Sequence, residues 1–312
     1  MSTIGFDTSN YTTSTAWTDG KTDINVRQIL YVKDGERGIR QSDGVFQHMK
    51  LMPVMYEKLS EQIDFKDVKA VGVSTRPRCV EGSYMPVFLA GEGYAKVVAN
   101  TLGVTLYEFS HQDGHIMAGI YSSGSFELLE KDFISVHLSG GTTEILKSRY
   151  NGFNFDNEIV GGSKDISAGQ FIDRVGVKMG LHFPAGKALE QLALKTEKGE
   201  KLPIAADGAY MNFSGVETKA SRMAESEKCD KSALALGVLE NVRDTLVKTI
   251  NKAMTDTNTH RVLIVGGVAS NGIIRNGLTK KLDGDVYFAQ AEYSTDNAVG
   301  TAYLAHMAHK EA

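Results

Sequence analysis

The strongest constraint on the fold of this chain is a unit that occurs twice. Residues 2–18 ("STIGFDTSNYTTSTAWT") and residues 133–148 ("FISVHLSGGTTEILKS") each run from β-forming residues into a tip of small and hydroxyl-bearing ones, then back into β-formers. No simple sequence period links the copies; what recurs is a strand–turn–strand unit. A chain of 312 residues is long enough to bury two cores. Two halves that each begin with such a unit, followed by helices and short buried strands, predict duplicated α/β lobes with a ligand between them. The boundary falls near residue 130, giving an N-terminal lobe 1–130 and a C-terminal lobe 131–312.

The intervening pattern is consistent with this. "INVRQILYVK" extends the first hairpin by a strand, and Val45, Met49, Met52, Tyr56, Leu59 and Ile63 recur at helical spacing. Pro53 predicts a kink there or the start of a fresh helix. The Met-rich face of this stretch is either intramolecular core or an adaptable contact for a second copy or a partner. In the second half a helical run spans Ser167 to Leu181, another lies near Ala188–Lys195, and a long one runs from about Ser232 to Met254. "RVLIVGGVASN" reads as a buried strand ending in a glycine pair, and "DNAVGTAYLAHMAH" as a closing helix.

Composition removes several function classes. No apolar run approaches the eighteen or so residues of a membrane span. The N-terminus lacks the basic and apolar regions of a secretory signal, and two cysteines do not make a disulfide framework. A cytoplasmic protein is the expectation. A net charge of -4 excludes a broadly basic nucleic-acid binder while allowing a local basic face.

Three glycine- or hydroxyl-rich tips carry the chemistry. Backbone N–H groups at tight turns and helix N-termini hold phosphate where no side chain blocks its approach. "SGGTT" offers Ser139, Gly140, Gly141 and Thr142 for this, and "VGGVASN" offers Gly267, with Asn271 placed to bond a sugar or base. "DTSNYTT" adds Asp7, which would orient a metal or water. None is a Walker motif or a dinucleotide fingerprint. Each tip, taken alone, is equally a turn whose glycines supply a positive φ. His111 and His115 in "SHQDGH" stand four apart and so share a helix face, half of a metal site. Two unrelated histidines on a polar face give the same spacing. Gln112 stands where a metalloprotease of the H-E-x-x-H kind needs its glutamate, so that chemistry is excluded.

Taken in order, "SHQDGH", "LSGGTTE", "DISAGQFIDRVGVKMGLHFPAG", "NFSGVETK", "GGVASNGIIR" and "STDNAVGTAY" resemble the tRNA threonylcarbamoyladenosine transferases, a family long labelled glycoprotease. The resemblance covers most of the chain. It implies a two-lobed actin/Hsp70/sugar-kinase-like ATPase fold with nucleotide, ATP or an acyl-adenylate, in the cleft. It further implies iron or zinc held by His111, His115 and Asp296, and nucleotide contacts at Ser139, Gly140, Gly141, Asp165, Gly169, Asp173, Gly186 and Asn271. Asp165 and Asp173 stand eight apart, near two helical turns, so both would face the cleft; their alternative role is to cap the helix. Asp7 and Asp165 are the carboxylates available for catalytic work. The implied reaction moves a threonylcarbamoyl group from its adenylate to N6 of a tRNA adenosine. Two other readings keep the fold: a small-molecule acceptor, or a non-catalytic nucleotide-binding partner of the tRNA enzyme. Tyr11, Arg76, Arg78 and Glu217 depart from the family pattern in regions expected to line the acyl or RNA side.

Overall fold

The structure, a computed structural model, describes residues 1–9, 11–32 and 39–311. Asn10, at the first predicted tip, and Lys33, at the end of the predicted third strand, lie outside them. In chain order the elements are β1 (Ser2–Thr8), β2 (Thr12–Thr18), β3 (Asp23–Ile29), α1 (Gln41–Ser60), β4 (Val68–Arg76), α2 (Phe88–Leu102), β5 (Thr105–Ser110) and α3 (His111–Ser123). There follow β6 (Phe133–Leu138), β7 (Thr143–Tyr150), β8 (Phe155–Ser163), α4 (Ala168–Lys178), α5 (Gly186–Ala193), β9 (Ala206–Asp207), β10 (Tyr210–Met211) and α6 (Ser214–Ala224). The chain closes with α7 (Lys231–Thr257), β11 (Arg261–Val265), α8 (Gly272–Lys281), β12 (Asp285–Phe288) and α9 (Val299–Glu311).

The chain forms two units. The first holds Met1–Phe126, Tyr150–Asp156 and Thr295–Ala312, so α9 belongs to the N-terminal unit, whereas a boundary at residue 130 assigns it to the other. Its sheet runs β3-β2-β1-β4-β5. β1 and β2 pair antiparallel from Thr3↔Thr18 to Thr8↔Thr13, and β4 and β5 continue in parallel. Ile4, Phe6, Val71 and Val73 form its core with Met52 and Leu59 of α1.

Glycines place α9 against this sheet. A Cβ on Gly5 would stand 2.5 Å from the Ala298 carbonyl, and one on Gly72 would stand 2.5 Å from that of Thr301. A Cβ on Gly300 would meet the Gly114 carbonyl of α3 at 1.9 Å. Only glycine permits so close an approach, and it brings the residues that precede α9 to the first turns of α3.

Helix α1 differs from its predicted form in two ways. Pro53 lies inside one continuous helix. Proline leaves the carbonyl four residues earlier without its usual donor, and here Tyr94 Oη supplies one to Met49 O at 3.0 Å. The buried stripe runs through Gly44, His48, Met52, Met55 and Leu59, while Met49 is exposed. The predicted face is thus rotated, and it includes a histidine that hydrophobic periodicity passes over.

The second unit holds Glu127–Arg149 and Asn157–Ser294. Its sheet runs β12-β11-β6-β7-β8-β10-β9, and its core gathers Val136, Ile145, Phe171, Phe213, Leu239, Leu246 and Ile264. β6 and β7 pair antiparallel from Phe133↔Ser148 to Leu138↔Thr143, so "SGGTT" is the tip of a hairpin as predicted. Among the described residues no helix is long and apolar enough to cross a membrane.

Candidate functional site

A capping box starts α3. Ser110 Oγ accepts from Asp113 N at 3.1 Å, while Ser110 N donates back to the Asp113 carboxylate at 3.0 Å. This fixes the helix start at His111, so His111 and His115 project one turn apart on the same face. Their rings meet edge to face, with centroids 4.4 Å apart. Asp296 arrives from the segment before α9, with Oδ1 at 3.3 Å from His115 Nε2 and 3.6 Å from His111 Nε2. One ligand atom from each of the three lies within 4.8 Å of the others.

The surrounding bonds aim these atoms at one point. Asp7 Oδ2 binds His111 Nδ1 at 2.7 Å, leaving Nε2 to face inward. Asp7 Oδ1 accepts from Ser9 N at 3.0 Å. Ser9 Oγ donates to Asp296 Oδ2 at 2.9 Å, which leaves Oδ1 for the centre. Arg27 Nη1 donates to the Asp296 carbonyl at 3.2 Å, and Ser14 Oγ accepts from Ala298 N at 2.9 Å. The backbone at Asp296 and just after it is therefore anchored.

Two imidazoles and a carboxylate, with the far sides of His111 and Asp296 tied by Asp7 and Ser9, match the outer arrangement that metal-ligating residues require. Ligand atoms about 2.0–2.2 Å from an ion, at tetrahedral or octahedral angles, stand about 3.0–3.5 Å apart. The two separations to Asp296 Oδ1 are close to that, and the donor set suits zinc or iron. The electrostatics agree. Burial disfavours the His111 imidazolium, but Asp7 and Asp296 outweigh it and push the pKa up to about 10. Burial works against the Asp296 carboxylate too, yet His111 and His115 hold it well below the ordinary carboxylate range. The site is built to hold positive charge at His111 Nε2, whether a proton or an ion.

In the second unit, Ser139 closes its own turn. Ser139 N donates to Thr142 O at 2.9 Å, and Ser139 Oγ accepts from Thr142 N at 3.0 Å and Gly141 N at 3.3 Å. Neither Gly140 nor Gly141 has a positive φ, and a Cβ on either would meet nothing within 4 Å. The simple reading of these glycines as left-handed turn residues therefore fails. Gly169 is different: its Cβ would lie 2.6 Å from Gly140 Cα and from Ser139 O, so it seats α4 directly beneath the turn. Ser167 Oγ donates to Gly140 O at 2.7 Å, and Thr143 Oγ1 accepts from Ala168 N at 2.9 Å. Thr142 contributes through its backbone.

The other predicted nucleotide residues hold structure. Asp165 lies before α4, not on it, so its spacing from Asp173 is not a helical one. Its carboxylate accepts from Ile166 N at 2.7 Å, Phe213 N at 2.8 Å and Ser214 N at 3.0 Å, capping α6. Burial opposes its charge, but the bonds from Ser214 and Phe213 win and hold its pKa far below normal. Asp173 Oδ1 accepts from Ala185 N at 2.7 Å, fixing the start of α5 at Gly186. Burial raises the Asp173 pKa against that bond. Asn271 Oδ1 caps α8 through Ile273 N and Ile274 N, each at 3.1 Å. Gly267 begins a 3-10 turn after Gly266, which has a φ of 101° and where an added Cβ would stand 2.3 Å from Leu138 O.

Sequence reasoning passed over Ser9, Ser14 and Arg27. Their hydroxyls and guanidinium carry no motif, and their partners lie at the far end of the chain. Among the departures, Arg76 donates to Thr75 Oγ1 at 3.1 Å and to Cys79 Sγ at 3.7 Å. Glu217 Oε1 accepts from Ser221 Oγ at 2.7 Å, and Tyr11 is exposed.

Comparison with known proteins agrees with this geometry. The family model described as tRNA N6-adenosine threonylcarbamoyltransferase matches residues 37–303. The proteins so named from Thermus thermophilus and Christiangramia forsetii are 30% and 29% identical to this chain. They align over 99% and 80% of it, and over 94% and 75% of their own lengths. Among solved structures, the activator of the 2-hydroxyisocaproyl-CoA dehydratase from Clostridium difficile, with bound ADPNP, superposes at TM-score 0.59 with 15% identity, covering 100% of this chain and 96% of its own. HypF from T. kodakarensis gives TM-score 0.61 at 13% identity, over 99% of this chain and 48% of its own. These neighbours share the actin/Hsp70/sugar-kinase-like ATPase fold. With that fold, and a family match across most of its length, the chain belongs to the tRNA N6-adenosine threonylcarbamoyltransferase family.

Proposed function

We propose that the chain transfers a threonylcarbamoyl group from its adenylate to N6 of a tRNA adenosine. The carrying observation is the convergence of His111 Nε2, His115 Nε2 and Asp296 Oδ1 in a chain that the family model matches over residues 37–303. In the reaction the adenosine amine attacks the carbamoyl carbon, the bond from that carbon to the phosphate oxygen breaks, AMP leaves, and N6 loses a proton. Iron or zinc held by His111, His115 and Asp296 supplies Lewis acidity toward phosphate and carbonyl oxygens.

The chain's own residues bind and orient. Asp7 fixes the tautomer and direction of His111, and Ser9 fixes the direction of Asp296. Gly140 and Gly141 leave the "SGGTT" backbone open to phosphate oxygens, which accounts for glycines that neither φ nor packing demands. Asp7 and Asp165 spend their oxygens on protein donors, so their work is positioning. The reading needs no serine or cysteine nucleophile.

The test supplies the purified, metal-loaded chain with threonylcarbamoyl-adenylate and an unmodified tRNA transcript, and analyses the nucleosides by mass spectrometry. Threonylcarbamoyladenosine in the transcript is the expected product. Turnover of the adenylate to AMP with an unmodified transcript would place the acceptor elsewhere.

A further inference from the structure

His48 is fully buried at mid-length on α1, in the same stripe as Met52, Met55 and Leu59. An imidazole there costs desolvation that a leucine would not. Its Nδ1 lies 2.8 Å from Oγ1 of Thr13, itself fully buried at the base of the β1–β2 tip. Thr13 pairs with Thr8 at the last rung before the segment that carries Ser9. The tip so anchored is the one from which Asp7 grips His111 and Ser9 grips Asp296. Burial lowers the His48 pKa against the opposing pull of the Ser9 carbonyl and the Asp7 carboxylate.

From this placement we infer that His48 is a positioning residue for the metal centre: anchored in α1, it holds the Asp7–Ser9 tip in the geometry that aims His111 and Asp296. The inference rests on the metal-centre reading above. A core histidine kept only for packing would leave the ion indifferent to it. A strut would transmit its loss through Thr13 and Ser9 to both outer bonds of the triad.

The experiment titrates metal-free, full-length protein with Co(II) against a competing chelator. It records the visible d–d spectrum and, separately, the melting temperature. Losing a direct outer partner of a metal ligand weakens binding about 10- to 100-fold; one bond further out, His48→Ala is expected at the low end, about tenfold, with a changed spectrum. His48→Asn, whose amide reaches where Nδ1 stood, restores most of the affinity. Thr13→Val removes the partner hydroxyl at nearly constant volume and weakens Co(II) as His48→Ala does, which keeps the inference testable if His48→Ala fails to fold. In a Ser9→Ala background, His48→Ala adds little. Wild-type Co(II) affinity and spectrum in folded His48→Ala or Thr13→Val, whatever their melting temperatures, overturn the inference alone. Failure of the wild-type chain to bind Co(II) overturns the metal centre itself.

Discussion

The bond between Asp7 and His111 makes the metal centre a competitor for protons, and this can be measured. With a pKa of about 10, His111 carries a proton at neutral pH in the metal-free protein. The inward nitrogen is the one an ion must take, so binding expels that proton. Three pH units separate neutrality from this pKa, which sets about a thousandfold, or ~4 kcal/mol, against the ion at pH 7. Apparent affinity should therefore rise about tenfold per pH unit between pH 6 and 8. Asp7→Asn removes the charge that contributes most to the upward shift. The His111 pKa then falls below about 10, so less of the proton remains to be expelled. Two effects oppose in this variant: relief from proton competition, and loss of the oriented outer bond, about 10- to 100-fold. They separate by pH. Calorimetric titration with Zn(II) at pH 8, in two buffers of different ionisation enthalpy, should find about one proton released by the wild type and fewer by Asp7→Asn. At pH 9.5, where proton competition costs the wild type only about fourfold, the variant should bind about 2- to 25-fold more weakly. Equal proton release from both proteins at pH 8 would refute the reasoning.

Three more outcomes follow from the same geometry. Gly140→Ala meets open space at an ordinary φ, so its melting temperature should match the wild type while ATP binding weakens about tenfold or more by calorimetry; unchanged binding would mean that no phosphate approaches this backbone. Asp165→Ala uncaps α6 and should cost about 1 kcal/mol in urea unfolding with little change in nucleotide affinity, whereas a lost affinity at full stability would restore it to the ligand. Buried His306 has a pKa lowered by burial and then by Lys310 and the N-terminus, so the folded state binds its proton less readily than the unfolded one. Stability should accordingly fall as pH drops below about 6.5, by at most ~1.4 kcal/mol per unit, and His306→Gln should flatten that slope.

Sequence and structure meet unevenly. The histidine pair could be read from spacing, because a helix converts four residues into one turn, and the two hairpins could be read from their β-forming flanks. Asp296 could not be read from spacing; it is fixed by Arg27, Ser14 and Ser9 across the whole length of the chain, and only family resemblance pointed to it. The helical argument for Asp165 and Asp173 failed because α4 begins at Ala168, so one carboxylate stands outside the helix and caps another. Pro53 looked like a breaker because a sequence does not reveal that Tyr94 will supply the missing donor. Asn271 caps α8 through its Oδ1, a role that its place after the glycine pair did not signal.

The most direct test asks whether the triad drives the chemistry. Nucleosides of tRNA should be analysed by mass spectrometry from cells in which this gene is the family's only copy, as wild type and as His111→Ala at matched protein level. Threonylcarbamoyladenosine is expected with the wild type, and its loss with His111→Ala. Normal levels in the variant would contradict the metal centre, and absence with the wild type would contradict the proposed acceptor.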